Sequence, residues 1–349
     1  MEGMALTMKN ILVTGDRGYI GSSLVPLLLK NKYNVVGFDT EFFKKTIPSK
    51  YKNPNYKIIT KDIREVDVRD IEGIDAIIHL SALSNDPMGD LDDELTQDIN
   101  FKSTIRLAKL AKKTGVKRFL FSSSCSIYGI AKEDTVSEKS KVNPLTAYAR
   151  SKINSEKNLI KLADKNFCVG ILRNSTVYGY APKFRNDLVV NNLVTTALAL
   201  CEIRIMSDGT PWRPLIDVRD LSNIFMQFLK VESKKINGKV INIGFNENNF
   251  QVKDLVAEVK KCLPKSRINF TGEHGKDSRS YKVSFNKFHK LFPNIKQSWR
   301  LSKSVKDLVT MLKKNKYSKK DFVSQDFTRI SILKDLLTKK KINNMLYWN

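Results

Sequence analysis

Two short stretches carry residues whose types and spacing could support redox chemistry. An apolar run ends in GDRGYIG, whose glycines are Gly15, Gly18 and Gly21. Glycines between a strand and a helix let backbone amides approach a pyrophosphate, and the helix N-terminus favours negative charge there. Tyr148 and Lys152 would lie side by side on a helix, where the ammonium favours the phenolate. Together the two stretches predict a bound dinucleotide and a tyrosine that acts as general base.

The cofactor is predicted from the residues that follow the glycines. Asp39 ends the next predicted strand, where a carboxylate accepts hydrogen bonds from both ribose hydroxyls and repels a 2′-phosphate. NAD is therefore favoured over NADP. Asp62 and Ile63 follow the third predicted strand and are expected near the adenine. The alternatives left open are an ordinary turn for the glycines, a solvated strand end for Asp39 and a plain loop for Asp62.

These residues need a sheet and crossover helices to position them. The first half of the chain alternates short β-branched runs with longer amphipathic segments, which is typical of a parallel sheet. The predicted strands are residues 10–14, 34–38, 57–60, 76–80, 118–122 and 169–173. The predicted helices include residues 91–114, 145–163 and 187–200, and the final 30 or so residues are expected to form a lysine-rich helical appendix.

The resulting fold class is α/β, a Rossmann-type doubly wound parallel sheet with a smaller C-terminal mixed α/β substrate domain. Residues 1–175 are assigned to the NAD-binding domain and residues 176–349 mainly to the substrate-binding domain. Segments near residues 214–248 are expected to return to the Rossmann core.

The composition argues against several classes of protein. The net charge of +25 raises the question of nucleic acid, but the lysines are spread along the chain without interleaved aromatic residues. We therefore expect solvated lysine faces that steer an anionic small substrate, and no nucleic-acid partner. The four cysteines and three histidines show no spacing typical of a disulfide framework or a metal site. No apolar stretch could span a bilayer and no signal pattern is present, so a cytoplasmic enzyme without a membrane partner is expected.

A serine-rich strand end completes the pattern. Residues 122–129 are SSSCSIYG, which would place hydroxyls at the C-terminal edge of the sheet, where such folds bind ligands. The combination of GxxGxxG, this strand end and YxxxK resembles the extended short-chain dehydrogenase/reductases that act on nucleotide sugars, the UDP-glucose 4-epimerase-like group. The resemblance covers roughly residues 9–308. It implies a triad in which Tyr148 takes a proton from a sugar hydroxyl, Ser124 hydrogen-bonds the same oxygen, and Lys152 binds the nicotinamide ribose.

The glycine pattern and the resemblance together yield a set of expected contacts, with no metal. The expected cofactor-binding residues are Gly15, Gly18, Tyr19, Ile20, Gly21, Asp39, Asp62, Ile63, Leu80, Ser81, Ala82, Asn100, Ser122, Tyr148 and Lys152. The expected substrate-binding residues are Ser84, Ser124, Ser126, Thr176, Asn192, Arg213 and Arg279. The two arginines are expected at a diphosphate, because a guanidinium donates two parallel hydrogen bonds to phosphate.

At some positions this chain differs from the family pattern, and these differences exclude some of the family's reactions from the expectation. Members that eliminate water carry acidic residues after the catalytic hydroxyl, and decarboxylases carry a glutamate at the position of Ser126, whereas this chain has Cys125 and Ser126 there. Neither reaction is therefore expected, and Cys125 is interpreted as a packing residue rather than a reactive thiol. Thr176 replaces an asparagine that helps to hold the diphosphate, for which Asn174, Asn191 or Asn192 could substitute.

The favoured function is an NAD-dependent nucleotide-sugar 4-epimerase that acts through a transient 4-keto intermediate. A homodimer is expected through the helices at residues 91–114 and 145–163. The first alternative is a net oxidoreductase with the same triad, either a keto-sugar reductase or a sugar dehydrogenase. A more distant alternative, kept open by the positive charge, is a non-catalytic protein that binds a dinucleotide or RNA.

Overall fold

Parallel strands form the central layer of the protein. The computed structural model describes residues 8–43, 53–84, 88, 92–271, 280–324 and 326–349. The strands are β1 (Asn10–Thr14), β2 (Asn34–Asp39), β3 (Tyr56–Thr60), β4 (Ala76–His79), β5 (Arg118–Ser124), β6 (Ile130–Val136), β7 (Cys168–Asn174), β8 (Thr176–Tyr178), β9 (Glu202–Ile205), β10 (Trp212–Asp217), β11 (Lys239–Ile243), β12 (Asn249–Gln251), β13 (Arg267–Phe270) and β14 (Ser280–Val283). The helices are α1 (Gly21–Lys30), α2 (Asp93–Gln97), α3 (Ser103–Lys113), α4 (Ala147–Leu162), α5 (Val189–Leu200), α6 (Val218–Lys230), α7 (Ser233–Ile236), α8 (Val252–Cys262), α9 (Asn286–Leu291), α10 (Leu301–Lys314), α11 (Lys319–Ser324) and α12 (Arg329–Thr338).

The central sheet has seven strands in the order β11-β7-β5-β4-β1-β2-β3, and every pair in it is parallel. The order of the strands reverses between β1 and β4, so a crevice opens beyond their carboxyl ends. In open α/β sheets such a crevice is the usual place for a ligand. The predicted Rossmann-type α/β fold is confirmed.

Apolar residues on both faces of the strands explain why the sheet is covered on both sides. Leu12 of β1 packs with α3, α4 and α12 on one face, whereas Ile11 and Val13 pack with α1, α6 and α9 on the other. Continuous apolar runs of this kind are typical of parallel strands buried on both faces. All six predicted strands are present, and β5 extends two residues farther than predicted, to Ser124.

Smaller sheets lie beside the central one. They comprise β12-β10-β8, β13-β9 and β14-β6. A separate apolar core joins α5, α8 and α10 in this part of the chain. Strand β11 nevertheless pairs with β7 of the central sheet, and α6 packs against α1. The domain boundary at residue 175 stays a prediction.

The helix predicted over residues 91–114 is present from Asp93 with one interruption. Between α2 and α3 the backbone forms a single π-helical turn, Asp98–Lys102, which carries Asn100. Such turns insert one extra residue and often occur near functional sites. The helix predicted over residues 145–163 is observed as α4, and its first turn is capped by Thr146, whose side chain accepts a hydrogen bond from the Ala149 amide.

The end of the chain differs from its prediction. The C-terminal segment, residues 326–349, contains a helix as expected, but it is not a separate appendix, because Ile332, Leu333, Ile342 and Leu346 are buried in the same core as the central strands. Its exposed lysines cluster at residues 339–341, between these apolar positions. Lysine-rich composition therefore concealed an apolar face that packs on the sheet. Among the described residues, no helix has the length and hydropathy needed to cross a bilayer.

Candidate active site

The glycine-rich turn between β1 and α1 is shaped by close backbone contacts. Gly15 adopts a φ of +70°, and a Cβ atom there would lie 2.9 Å from the backbone nitrogen of Ser81. A Cβ on Gly21 would collide with the carbonyl oxygen of Gly15. Side chains at these positions would push the turn away from the loop after β4. The glycines therefore keep the N-terminus of α1 close to the crevice, where it favours an anion.

One large cavity occupies this crevice. Its volume is about 1110 Å³, which exceeds the roughly 300–1,000 Å³ of a site for one small ligand. There is therefore room for a dinucleotide and a second molecule together. The sequence-predicted residues that line it are Gly15, Gly18, Tyr19, Ile20, Gly21, Asp39, Asp62, Ile63, Leu80, Ser81, Ala82, Ser84, Ser122, Ser124, Ser126, Tyr148, Lys152, Thr176, Asn192 and Arg213.

Among the described residues, one predicted site residue, Asn100, does not line the cavity. Asn100 is 1 % exposed and lies behind the wall, where its side chain accepts from the Leu83 amide at 2.8 Å and donates to Ser151 Oγ. Asn100 thus supports the loop that carries Leu83, and its expected contact with the cofactor stays a prediction. Arg279 lies outside the described residues. Asn174 and Asn192 line the cavity, whereas Asn191 is buried against the Gly179 amide.

Tyr148 and Lys152 lie one turn apart on α4 and face the cavity. Lys152 Nζ donates to the carbonyl oxygen of Ser122 at 2.8 Å and lies 5.5 Å from the centre of the Tyr148 ring. Burial lowers the pKa of Lys152 from 10.5 to about 7, while Glu156 acts in the opposite direction. The strand β5 therefore fixes a desolvated amine beside a phenol, an arrangement that can stabilise a phenolate when the amine is protonated.

The serine-rich end of β5 supplies hydroxyls to the same space. Ser124 Oγ accepts a hydrogen bond from the Ser126 amide at 3.1 Å and so begins the turn after the strand. Ser126 Oγ is buried with no hydrogen-bond partner among the described residues. Cys125 points away, with its Sγ on the carbonyl oxygen of Arg173, and burial raises the pKa of its thiol. Its neutral, buried thiol fits the packing role expected for it.

Behind the site lies a buried polar network that the sequence patterns did not predict. Glu156 of α4 pairs with Arg173 of β7 at 2.7 Å and accepts a hydrogen bond from Ser123 of β5. Arg173 also donates to Tyr128 Oη at 3.0 Å. These contacts tie α4 to two strands of the sheet, so they hold the turn that carries Lys152 in place.

His79 lies near these groups but is not suited to proton transfer. Its two ring nitrogens lie 2.7 Å from the hydroxyls of Thr14 and Thr104, and burial lowers its pKa from 6.5 to about 3. The ring is therefore neutral and occupied by structural hydrogen bonds. Tyr148 remains the general-base candidate.

The opposite end of the cavity carries Asp39. Burial raises the pKa of its carboxyl, and Oδ1 accepts from the Glu41 amide at 2.7 Å. Arg17 donates to the carbonyl oxygen of Asp39 at 2.9 Å, and its charge is paired with Glu41 at 2.9 Å. Asp62 also lines this end, but both of its oxygens already accept from Arg64.

Arg185 is a cavity residue that the sequence analysis missed. Its guanidinium pairs with Asp187 at 2.9 Å, and Nη1 donates to Ser84 Oγ at 3.1 Å. Both arginine and aspartate belong to the wall. The only signal in the sequence is the spacing of Arg185 and Asp187, which fits many exposed turns as well.

Comparison with known proteins identifies the family. The model of the NAD-dependent epimerase/dehydratase family matches residues 11–244. This chain belongs to that family. A Bacillus subtilis protein described as an uncharacterised UDP-glucose epimerase is 31 % identical over 248 residues, covering 67 % of this chain and 76 % of the relative. A mouse dTDP-D-glucose 4,6-dehydratase is 25 % identical over 324 residues, covering 88 % of this chain and 89 % of the relative.

A solved structure of an epimerase has a fold similar to that of this chain. The UDP-glucuronic acid 4-epimerase from Bacillus cereus, in complex with UDP-glucuronic acid and NAD, has a TM-score of 0.77 and 27 % identity. The match covers 88 % of this chain and 99 % of the epimerase. The family and its NAD-bound structures confirm the predicted cofactor, which is NAD. The resemblance to epimerases of the extended short-chain dehydrogenase/reductase group is likewise confirmed.

Proposed function

We propose that this protein is a nucleotide-sugar 4-epimerase that acts through a transient 4-keto intermediate. The observation that carries the proposal is the arrangement around Lys152, whose anchored amine lies beside Tyr148 in one cavity with Ser124 and the glycine-rich turn. A general base, a hydroxyl donor and a dinucleotide cradle thus face a common space. The volume of that space supports a second ligand beside the cofactor.

The residues present fit NAD. The N-terminus of α1 and the side-chain-free Gly15 suit the pyrophosphate, and the Asp39 carboxylate suits the hydroxyls of the adenosine ribose. Lys152 and Ser122 would hold the nicotinamide end. When bound, NAD would supply the hydride acceptor and donor for the sugar carbon.

The chain's own groups then move the proton. Tyr148 Oη would take the proton of the 4-hydroxyl, and Ser124 Oγ would donate a hydrogen bond to the same oxygen as its charge develops. Protonated Lys152 would stabilise the phenolate across the short distance to the ring. The same phenol would return the proton after the keto sugar has presented its other face. No net oxidation follows from this sequence of steps.

Relatives of this chain include dehydratases and decarboxylases. The choice among these reactions depends on the residues that follow Ser124 at the end of β5. Water elimination needs an acid and a base beside the sugar, but the residues after Ser124 are Cys125, which is turned away, and Ser126, a neutral hydroxyl. No carboxylate follows Ser124 in this turn. That absence supports epimerisation over elimination.

The test is a stoichiometry experiment. Purified protein is incubated with UDP-glucose, UDP-galactose and UDP-glucuronic acid in turn, products are separated by chromatography, and the absorbance of reduced nicotinamide is followed. The expected result is interconversion of one pair of C4 epimers without net accumulation of NADH. Net accumulation or consumption would instead indicate an oxidoreductase, and RNA binding that weakens with salt but no turnover would indicate a binding protein.

We also propose a homodimer through α3 and α4. The π-helical turn carries half-exposed Phe101, the outer face of α3 carries half-exposed Ile105 and Leu110, and α4 exposes Ile160. Apolar side chains on adjacent exposed helices suit a self-complementary interface about a two-fold axis. Light scattering coupled to gel filtration should show twice the mass of the chain, and Ile105→Glu should reduce it to the monomer mass.

A further inference from the structure

The C-terminal segment reaches the cavity at the end that carries Asp39. Thr328, Arg329, Ile330 and Lys334 belong to the cavity wall. Arg329 is 2 % exposed, and its Nη2 donates to the carbonyl oxygen of Lys183 at 3.1 Å. Its Nη1 is buried and has no hydrogen-bond partner in the part of the chain that the structure describes. The guanidinium thus lies in the cavity wall, 4.1 Å from the centre of the Phe43 ring, with one donor that is buried and unused.

The charges around Arg329 do not neutralise it. Asp187 lies nearby but is already paired with Arg185, and Asp39 accepts from the Glu41 amide. Arg185 adds a like charge, and together with burial it lowers the pKa of Arg329 to about 9. A buried cation without a dedicated counterion is costly. An anionic ligand at this position would offset that cost.

The position of Arg329 indicates which anion fits. Its partner Lys183 donates from the backbone amide to Ser22 Oγ at 3.1 Å, in the first turn of α1. The backbone of Lys183 therefore connects Arg329 to the first turn of α1, and a phosphate is favoured at the N-terminus of that helix. A guanidinium also matches the oxygens of a phosphate better than those of a neutral group.

The segment that carries Arg329 is fixed to the loop after β2. Trp348 Nε1 donates to the carbonyl oxygen of Thr40 at 2.7 Å, and the Trp348 and Phe42 rings lie 5.6 Å apart. Arg64, which holds Asp62, stacks on the ring of Tyr347 at 3.7 Å. The last residues of the chain therefore brace the wall around Asp39 and Asp62.

We propose that the C-terminal segment completes the cofactor site, with Arg329 donating through Nη1 to a pyrophosphate oxygen of the dinucleotide. The contact retains NAD between turnovers, which suits a reaction that regenerates its cofactor in place. This inference rests on the proposed position of NAD in the cavity but not on the sugar reaction. It therefore has a test that does not depend on turnover.

The test compares Arg329→Met with the wild-type protein in direct binding. Dissociation constants for NAD and ADP-ribose are measured by calorimetry, and adenosine binding is measured by NMR titration. Loss of one charge-assisted hydrogen bond should weaken NAD and ADP-ribose alike by roughly 10- to 100-fold, with adenosine affinity unchanged. NAD retained after gel filtration should fall in parallel. Lys341→Met, an exposed change on the same segment, should behave as wild type.

The outcomes distinguish the Arg329 contact from the proposed cofactor cavity and from the proposed reaction. Equal affinity of Arg329→Met and wild type for ADP-ribose would overturn the inference, and an equal loss for adenosine would refute the phosphate contact. If Arg329→Met does not fold, Arg329→Lys keeps the charge and should still lose ADP-ribose affinity severalfold. A wild-type protein that binds no NAD would instead refute the proposed cofactor cavity. Normal NAD binding without epimerisation would refute only the proposed reaction.

Discussion

Replacing Lys152 by methionine should separate catalysis from stability. Lys152 is 3 % exposed, and burial lowers the pKa of its amine from 10.5 to about 7. Methionine has a similar length and no charge, so it keeps most of the packing and removes the cost of burying an ammonium. We expect Lys152→Met to lose activity and to become more stable against unfolding near neutral pH.

The size and pH dependence of the gain follow from linkage. In the unfolded chain the amine takes up its proton below pH ~10.5, whereas in the folded protein it does so only below about 7. Wild-type stability therefore falls as the pH drops from 10.5 to 7, and the loss is complete below that. At ~1.4 kcal/mol per pH unit the full cost is on the order of 5 kcal/mol. Removing the donor from the Ser122 carbonyl costs about 1–3 kcal/mol, which leaves a net gain of roughly 2–4 kcal/mol.

The assay is urea unfolding of the cofactor-free protein at pH 6 and pH ~10.5, together with turnover. The stability difference should be largest at the lower pH and disappear or reverse at the higher one. Turnover should fall by a factor on the order of 10² or more. Lys157→Met, an exposed change on the same helix, is the matched control and should alter neither quantity. A variant no more stable than wild type at pH 6 would refute the burial cost, and full activity would remove Lys152 from the reaction.

Three further substitutions test the separate parts of the site. Tyr148→Phe should lower turnover by a factor on the order of 10² to 10⁴ in steady-state kinetics while NAD stays bound; Tyr33→Phe is its control, and retained activity would exclude Tyr148 as the base. Asp39→Ala should weaken NAD and relax discrimination against NADP in cofactor titrations; an unchanged preference would contradict the ribose contact. Arg185 also donates to Ser84, an expected substrate-binding residue. Arg185→Lys keeps a charge beside Asp187 but loses the planar fork, so KM for the nucleotide sugar should rise roughly tenfold. An unchanged KM would exclude a contact between Arg185 and the substrate.

The parts of the site that the sequence predicted are those encoded by neighbouring residues. The turn from Gly15 to Gly21 has its strand, its glycines and its helix within one short stretch. Tyr148 and Lys152 share a helix whose cap and periodicity are local as well. Local signals of this kind can be recognised in the sequence, because the backbone geometry that they require is set within a few residues.

The parts that escaped prediction depend on contacts between distant segments. Asn100 lies in the π-helical turn and binds the Leu83 backbone, a contact that its residue type and spacing do not indicate. Glu156 and Arg173 are charged residues in a helix and a strand, and nothing in their spacing shows that they pair in the core. The many C-terminal lysines favoured an appendix, but the apolar positions between them pack into the core of the central sheet.

The buried cations explain why these distant contacts belong to one site. Lys152 at one end of the cavity and Arg329 at the other are both desolvated, and in both the pKa lies below its ordinary value. A fold selected for stability alone would expose or pair such groups. In the proposed reaction and the proposed cofactor contact, these cations would stabilise a developing phenolate and an anionic ligand, because preorganised charge needs no rearrangement when the ligand arrives. The polar network of Glu156 and Arg173 and the packing of residues 326–349 are the structural means by which the protein keeps those two cations in position.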